Sequence, residues 1–488
     1  MDGTNRRGFL ASAAALAAVG PAAAQARGRT LIRNVEVLVG DAAGTEHRGV
    51  DVLIDSGKVA AIGKALPAAG GRVVEGRGRI LMPGMVCGHR HNWMYLGAGA
   101  TYADFYAWQL KLMPSATAED QALASYFGGL AAIHAGVTTI VDQAHAHQTP
   151  DRVMAAAEGH LKSGVGGWFN LQLGQASAIR PGQTLSRKEA FTQRQNRAQP
   201  RDWDSIAKLK AMFAGTNVAA GCATSPGCYG RDVRAIAAEE IGPARAAGLG
   251  LITVHTGVRA PGAPRGAFGH RNCGILDLDD AGLLTREMHF SHAVELDDAE
   301  IAAMARTGAK LCTTPFEDAD TGPRSPRIAP SFARADLGGV AAGLGVDSTG
   351  AHTQDFFEIA RNARSTLAAD PVSFDALGRW DAAKMLSFTT ERGAEAVGLG
   401  HDRGKVAPGY RADLVLLASD EPFFPQQGSL AHRVLNYATR AHVDSVWVGG
   451  TLRKSGGAME GADIAALAAR LRAAQRRVAR DMATISFT

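Results

Sequence analysis

The chain has 488 residues, 46% hydrophobic and 20% charged, room for about three domains of ~150 residues or for one large barrel with an appendage. A net charge of +5 without any dense Lys/Arg run is too dilute for a nucleic-acid-binding footprint. The apolar content excludes intrinsic disorder, and 58 glycines without a G-X-Y period exclude a fibrous chain.

In chain order, residues 1–26 read as a targeting peptide: Asn5-Arg6-Arg7-Gly8-Phe9-Leu10 is a twin-arginine pattern, an apolar run follows to Val19, and Ala24-Gln25-Ala26 is an A-x-A cleavage site. The run Leu10–Val19 is too short to span a bilayer, so the expectation is export to the periplasm or beyond, with no membrane insertion after cleavage. Residues 27–80 then alternate apolar and polar side chains in TLIRNVEVLVG and GVDVLIDSGKVAAIG, with turns at Asp41-Ala42 and Ser56-Gly57, and predict the first part of a small β domain. Residues 81–400 change character. The runs LMPGMVCGH, GVTTIVD, GWFNLQL, NVAAGCA, LGLITVH, MHFSH, AKLCTTP and VAAGLGVD alternate with Ala-rich helical patterns.

Eight such units predict a (β/α)8 barrel; a doubly wound sheet is the competing layout, but it does not need polar residues at so many strand ends. Residues 401–457, with GKVAPGYRADLVLL and HVDSVWVGGTLRKSGG, return to strands and complete a discontinuous β-sandwich domain with 27–80. Residues 458–488 hold a C-terminal docking helix between Ala462 and Met482. The stretches Ala176–Asp204 and Gly257–Gly274 read as mobile loops at the barrel's C-terminal face. Five scattered cysteines fit buried free thiols better than a disulfide framework.

The sharpest chemical signal is His89-Arg90-His91. Residues i and i+2 of a strand share a face, so both imidazoles can reach one metal ion while Arg90 points away. His255, His292 and Asp347 also end predicted strands, and a barrel gathers such ends at one mouth. Three imidazoles and a carboxylate suit one zinc-like divalent ion with a position left for water. Trp93, Tyr95, His145 and Glu317 are candidate substrate contacts, with His147, Asp318 and His352 nearby in sequence. Gly404-Lys405 fails as a phosphate loop, and no G-x-S-x-G is present.

Together PGMVCGHRH, GVTTIVD, VHTG, FSHAVELDDAEIAAMARTGA, the GVD ending at Asp347 and GKVAPGYRADLVLL resemble the amidohydrolase superfamily, in its cytosine-deaminase-like and triazine-hydrolase-like branch. The resemblance implies His89, His91 and His255 as metal ligands, Asp347 as ligand and proton acceptor, and His292 as the residue that orients water or the polarised substrate atom. The fourth strand, NVAAGCATSPG, has no lysine to bridge a second ion, which implies one metal: Zn2+, with Fe2+ as second choice. Such a site hydrolyses a non-peptide C–N bond through a metal-activated water. Aromatic-base deaminases of this branch carry H-x-x-E on the fifth strand, where this chain has His255-Thr256-Gly257-Val258. The missing acid shifts weight from deamination of an N-heterocycle to hydrolysis of an amide, cyclic amide, carbamate or urea. Glu317 and Asp318 are the nearest carboxyls to replace it. A non-catalytic exported small-molecule-binding barrel is the alternative of another class. The partner expected is a small-molecule substrate, with no nucleic acid; a homo-oligomer is compatible with this reading.

Overall fold

The computed structural model describes residues 28–68, 70–100, 104–146, 149–174, 179–192, 197–224, 233–256, 274–294, 296–321, 331–367 and 371–488. The N-terminal targeting motif, His147 and Val258 lie outside them.

The N-terminal strands are β1 (Thr30–Leu38), β2 (Glu46–Asp55), β3 (Lys58–Gly63), β4 (Arg72–Glu75) and β5 (Ile80–Pro83). β2 and β3 form a hairpin whose corner, Ser56 and Gly57, takes φ of 51° and 82°, as a two-residue I′ turn requires. Only one residue, Gly84, separates β5 from the first barrel strand, β6 (Met85–His91). A Cβ on Gly84 would sit 2.1 Å from Thr138 Oγ1, so the junction between sheet and barrel demands glycine.

After β6 come β7 (Val137–Ala144) and β8 (Gly166–Gln172), then a two-residue strand outside the barrel, β9 (Thr184–Leu185). The barrel continues with β10 (Val218–Ala223), β11 (Ile252–Thr256), β12 (Met288–His292), β13 (Lys310–Thr313), β14 (Ala342–Leu344) and β15 (Asp347–Ser348). All its pairings are parallel, and β6, β7 and β8 are buried along their whole length, as strands enclosed by helices must be. β14 and β15 are two halves of one eighth strand. β14 pairs with β13 and β15 pairs with β6, while Gly345 N–H donates to Thr313 O and Val346 N–H to His89 O. That hand-over closes the (β/α)8 barrel.

The chain returns to the terminal sheet through β16 (Leu414–Leu417), β17 (Val443–Val448), β18 (Thr451–Ser455) and β19 (Ala458–Met459). β16 pairs antiparallel with β5, joining N- and C-terminal segments in one sheet of order β19-β18-β17-β16-β5-β1-β2-β3, with β4 beside β1. A buried core of Ile32, Val37, Ile54, Leu81, Leu414 and Trp447 fills it.

The helix Ile464–Ala483 is N-capped by Asp463, which accepts from Ala466 N–H, and buries Leu471, Ala474 and Val478 against Trp93, Leu96, Trp108 and Leu112. The last strand, β20 (Ser486–Phe487), pairs with β9. The segment expected as a mobile loop, Ala176–Asp204, is thus partly regular. It carries β9, a helix Arg187–Thr192 and the start of the helix Pro200–Phe213, and the chain's own C-terminus pins it. Of Gly257–Gly274 only Gly274 is described. Cys87, Cys222 and Cys312 are buried free thiols. Among the described residues no helix is long and apolar enough to cross a membrane.

Candidate metal centre

β6 ends in His89-Arg90-His91, and alternation separates their side chains as the sequence requires. Arg90 turns out of the barrel, donating to Asn92 Oδ1 at 2.8 Å, Gln354 Oε1 at 3.1 Å and the Gly128 carbonyl at 3.3 Å. The two imidazoles turn in and pack edge to face, with centroids 4.8 Å apart.

β15, next to β6 in the closed barrel, brings Asp347 between them: its Oδ1 lies 2.8 Å from His91 Nε2 and 3.3 Å from His89 Nε2. From β11, His255 places one ring nitrogen within 4.8 Å of nitrogens of His89 and His91. From β12, His292 sets Nε2 at 3.1 Å from His255 Nε2 and 3.6 Å from Asp347 Oδ2. Residues spread over 259 positions, from His89 to Asp347, therefore gather at the mouth in two groups of three that share His89. His292 and Asp347 have φ of 67° and 63°, left-handed values that cost a non-glycine residue about 1–3 kcal/mol and cluster at functional sites.

The geometry fits a cation. Among the described residues, both ring nitrogens of His89 are buried without a hydrogen-bond partner, and Nε2 of His255 lies 3.1 Å from Nε2 of His292, where one of the two nitrogens must carry a proton or meet a cation. Burial pushes His89 down to about 4, and burial with the neighbouring His292 and His89 pushes His255 well below the usual imidazole range. Both are therefore neutral near pH 7, the state a metal ligand needs. Burial works against the charged Asp347, but the imidazoles of His292, His89 and His91 outweigh it and hold the carboxyl well below its ordinary range. His91 Nδ1 lies 2.9 Å from the Gln143 carbonyl, which fixes its proton there and leaves Nε2 to face the centre.

His292 is oriented from behind. Its Nδ1–H donates to Asp318 Oδ1 at 2.7 Å, and Asp318 is itself held by Thr314 Oγ1 and Thr314 N–H, both at 2.9 Å. Burial opposes a charge on His292, yet the Asp347 and Asp318 carboxylates overcome it and raise the ring to about 9. Sequence reasoning placed Asp318 only as a stand-in acid. Its helical spacing, four residues after Thr314 in the first turn of the helix Pro315–Thr321, is the signal that could have revealed this clamp.

The other candidates are placed unequally. Glu317, the neighbour of Asp318, accepts from His352 Nε2 at 2.8 Å, and its carboxyl is raised first by burial and then by Asp347. That pair borders the centre. His145 and Trp93 stand behind His91: the His145 ring lies edge to face on both, with its Nδ1 2.9 Å from His91 Nδ1 and 3.4 Å from Trp93 Nε1. Tyr95 is a correction. Expected as a substrate contact, it packs on Phe127 in the outer helix layer with its phenol beside Arg90, because the short 3-10 helix Asn92–Gly97 turns away from the mouth and under the C-terminal helix.

Residues 80–453 match the model of the amidohydrolase family. Among curated proteins, the 5-methylthioadenosine/S-adenosylhomocysteine deaminase of Thermococcus kodakarensis is 25% identical over 423 residues, 83% of this chain and 89% of its own. The 8-oxoguanine deaminase of Pseudomonas aeruginosa is 33% identical over 198 residues, 40% of this chain and 42% of its own. Among solved structures, an adenosine deaminase from Xanthomonas campestris with bound zinc superposes with TM-score 0.72 at 20% identity, covering 92% of this chain and 98% of that one. An atrazine chlorohydrolase mutant from Arthrobacter aurescens, complexed with zinc and atraton, gives TM-score 0.75 at 18% identity over 91% and 100%.

Proposed function

The chain belongs to the amidohydrolase family, and from that premise we propose that it hydrolyses an amide, cyclic amide, carbamate or urea C–N bond of a small molecule at a single-metal site. As a member it is an enzyme acting on non-peptide C–N bonds, not a silent binding barrel. One observation carries the reading: His89, His91 and His255 form one group of ligand atoms within 4.8 Å of one another, His89, His292 and Asp347 form a second that shares His89, and Asp347 Oδ1 lies 2.8 Å from His91 Nε2. Neutral imidazoles with one carboxylate suit zinc first and iron second. When bound, such an ion would lower the pKa of a water to about 7, far below its bulk value, and would supply a nucleophile at neutral pH.

The chain's own residues do the rest. Asp347, kept ionised by the imidazoles around it, takes the water's proton and passes it to the leaving nitrogen. His292, locked by Asp318, donates from Nε2 to the oxygen on which charge develops. His145 backs His91, and Trp93 Nε1–H donates to His145 in turn.

A second reading, aminohydrolysis of an N-heterocycle, is favoured by the deaminase relatives that match most of the chain. Zinc-loaded protein offered a panel of cyclic amides, ureas and aminopurines separates the two. Ring opening of a cyclic amide or cyclic urea to an acid, or amine release from a substituted urea, supports the first; ammonia release from the ring amine of an aminopurine supports the second; and turnover of neither class counts against both. An exported location is part of the proposal and rests on Arg6, Arg7 and the Ala24-Gln25-Ala26 site. Arg6→Lys with Arg7→Lys is expected to trap the protein in the cytoplasm on cell fractionation, and unchanged export would remove the twin-arginine reading.

A further inference from the structure

The barrel mouth has a polar edge that the hydrolytic residues leave unused. On β7, Asp142 faces outward, accepting from Asn92 Nδ2 at 2.9 Å and lying 3.4 Å from His160 on the covering helix Pro150–Ser163. Alternation therefore turns its neighbour Gln143 inward. On β8, Asn170 reaches across the interior to Thr253 Oγ1 of β11 at 2.7 Å, so Gln172, two residues on, also faces in. The two amides form a ladder: Gln172 Nε2 donates to the Thr224 carbonyl at 2.9 Å, and Gln143 Nε2 donates to Gln172 Oε1 at 3.1 Å.

The ladder can run in one direction only. A backbone carbonyl accepts and never donates, so it decides which end of Gln172 it meets, and Gln172 then decides which end of Gln143 it meets. The last atom is Gln143 Oε1, a buried acceptor with no hydrogen-bond donor among the described residues. It belongs to the residue whose main-chain carbonyl lies 2.9 Å from His91 Nδ1, which sets it at the level of the candidate ligands. A buried acceptor left unmatched is costly, and a donor that arrives with the substrate removes the cost.

We propose that Gln143, oriented by Gln172, accepts a hydrogen bond from an N–H of the substrate, so that the site selects secondary amides and ureas, open or cyclic, over their N-alkylated forms. This deepens the hydrolytic reading of the same mouth and rests on it. Gln143 is a binding residue in this scheme, and Gln172 is a positioning residue.

The test is calorimetric binding to full-length zinc-loaded protein, with hydantoin against 1,3-dimethylhydantoin and succinimide against N-methylsuccinimide. The wild type is expected to prefer the N–H member of each pair by about tenfold. Gln143→Met, close in shape, is expected to abolish that preference with zinc content and melting unchanged. Gln172→Met frees the Gln143 amide to flip and is expected to reduce it. A wild type with no N–H preference overturns the proposal, as does a preference that survives in a folded Gln143→Met protein. Wild-type protein that takes up no zinc defeats the hydrolase reading instead, while the N–H preference of the amide ladder is still measured by the same titrations.

Discussion

Replacing His255 by alanine tests the centre directly. In the structure His255 is the contribution of β11 to a group otherwise supplied by His89 and His91 of β6, with Asp347 of β15 against the same two imidazoles. Zinc bound by a full protein ligand set is worth about 10–16 kcal/mol near neutral pH. Shared over four ligands that is about 2.5–4 kcal/mol each, so the variant should bind zinc roughly 10²–10³-fold more weakly. The loss falls on affinity rather than on folding, because His255 lies one residue from the end of β11 at the mouth and is not part of the apolar packing below. Competition against a chelator of known zinc affinity, with metal content measured on the same sample, reads the effect, and a thermal melt without metal checks the fold. His352→Ala serves as the control: His352 contacts Glu317 and is no member of the histidine cluster, so affinity should stay within about threefold. Full zinc occupancy in His255→Ala, with a competition constant like the wild type's, would refute the assignment of ligands.

Asp318→Asn should keep its zinc but lose about 10²-fold in kcat, since the neutral amide removes one of the carboxylates that raise His292 and so weakens the Nε2–H donor; an unchanged kcat in a folded, loaded variant would show that the clamp is idle. Gly84→Ala should destabilise the protein by a few kcal/mol, because the new Cβ would meet Thr138 Oγ1 at 2.1 Å and Cγ2 at 2.3 Å. Adding Thr138→Gly should recover most of that loss in denaturant titrations, and a simple sum of the two single effects would mean the contact is not the cause.

The barrel and its appended sheet were legible because their signals are local: period-two alternation, polar residues at the ends of apolar runs, and Gly at each corner. The H-x-H pair was legible for the same reason, since its meaning follows from one strand. What escaped depends on partners far away in sequence. Ala176–Asp204 looks like a free loop until the C-terminal residues pair with it, with Ser486 N–H donating to Gln183 O and Thr488 N–H to Leu185 O. Tyr95 reads as a pocket aromatic until the C-terminal helix is laid over its segment, where Gln475 Nε2 donates to the Tyr95 carbonyl at 2.7 Å. Gln143 and Gln172 carry no motif, and only the polarity set by the Thr224 carbonyl gives them meaning.

The position of Asp347 ties the chemistry to the architecture. It begins the short strand that closes the barrel, aligned with Arg90, while Ser348 aligns with His91. Its φ of 63° marks the step at which the eighth strand leaves β13 and joins β6. A residue in ordinary extended conformation there would send its side chain on along the regular alternation of the strand; the left-handed step re-aims it, and the carboxylate lands between His89 and His91. His292, at φ 67° at the end of β12, is re-aimed in the same way toward Asp347 and is held there by Asp318. Each departure costs about 1–3 kcal/mol. The strain is therefore best understood as the cost of convergence: two strand ends bent out of their regular course so that a carboxylate and an imidazole come within 3.6 Å of each other at the mouth.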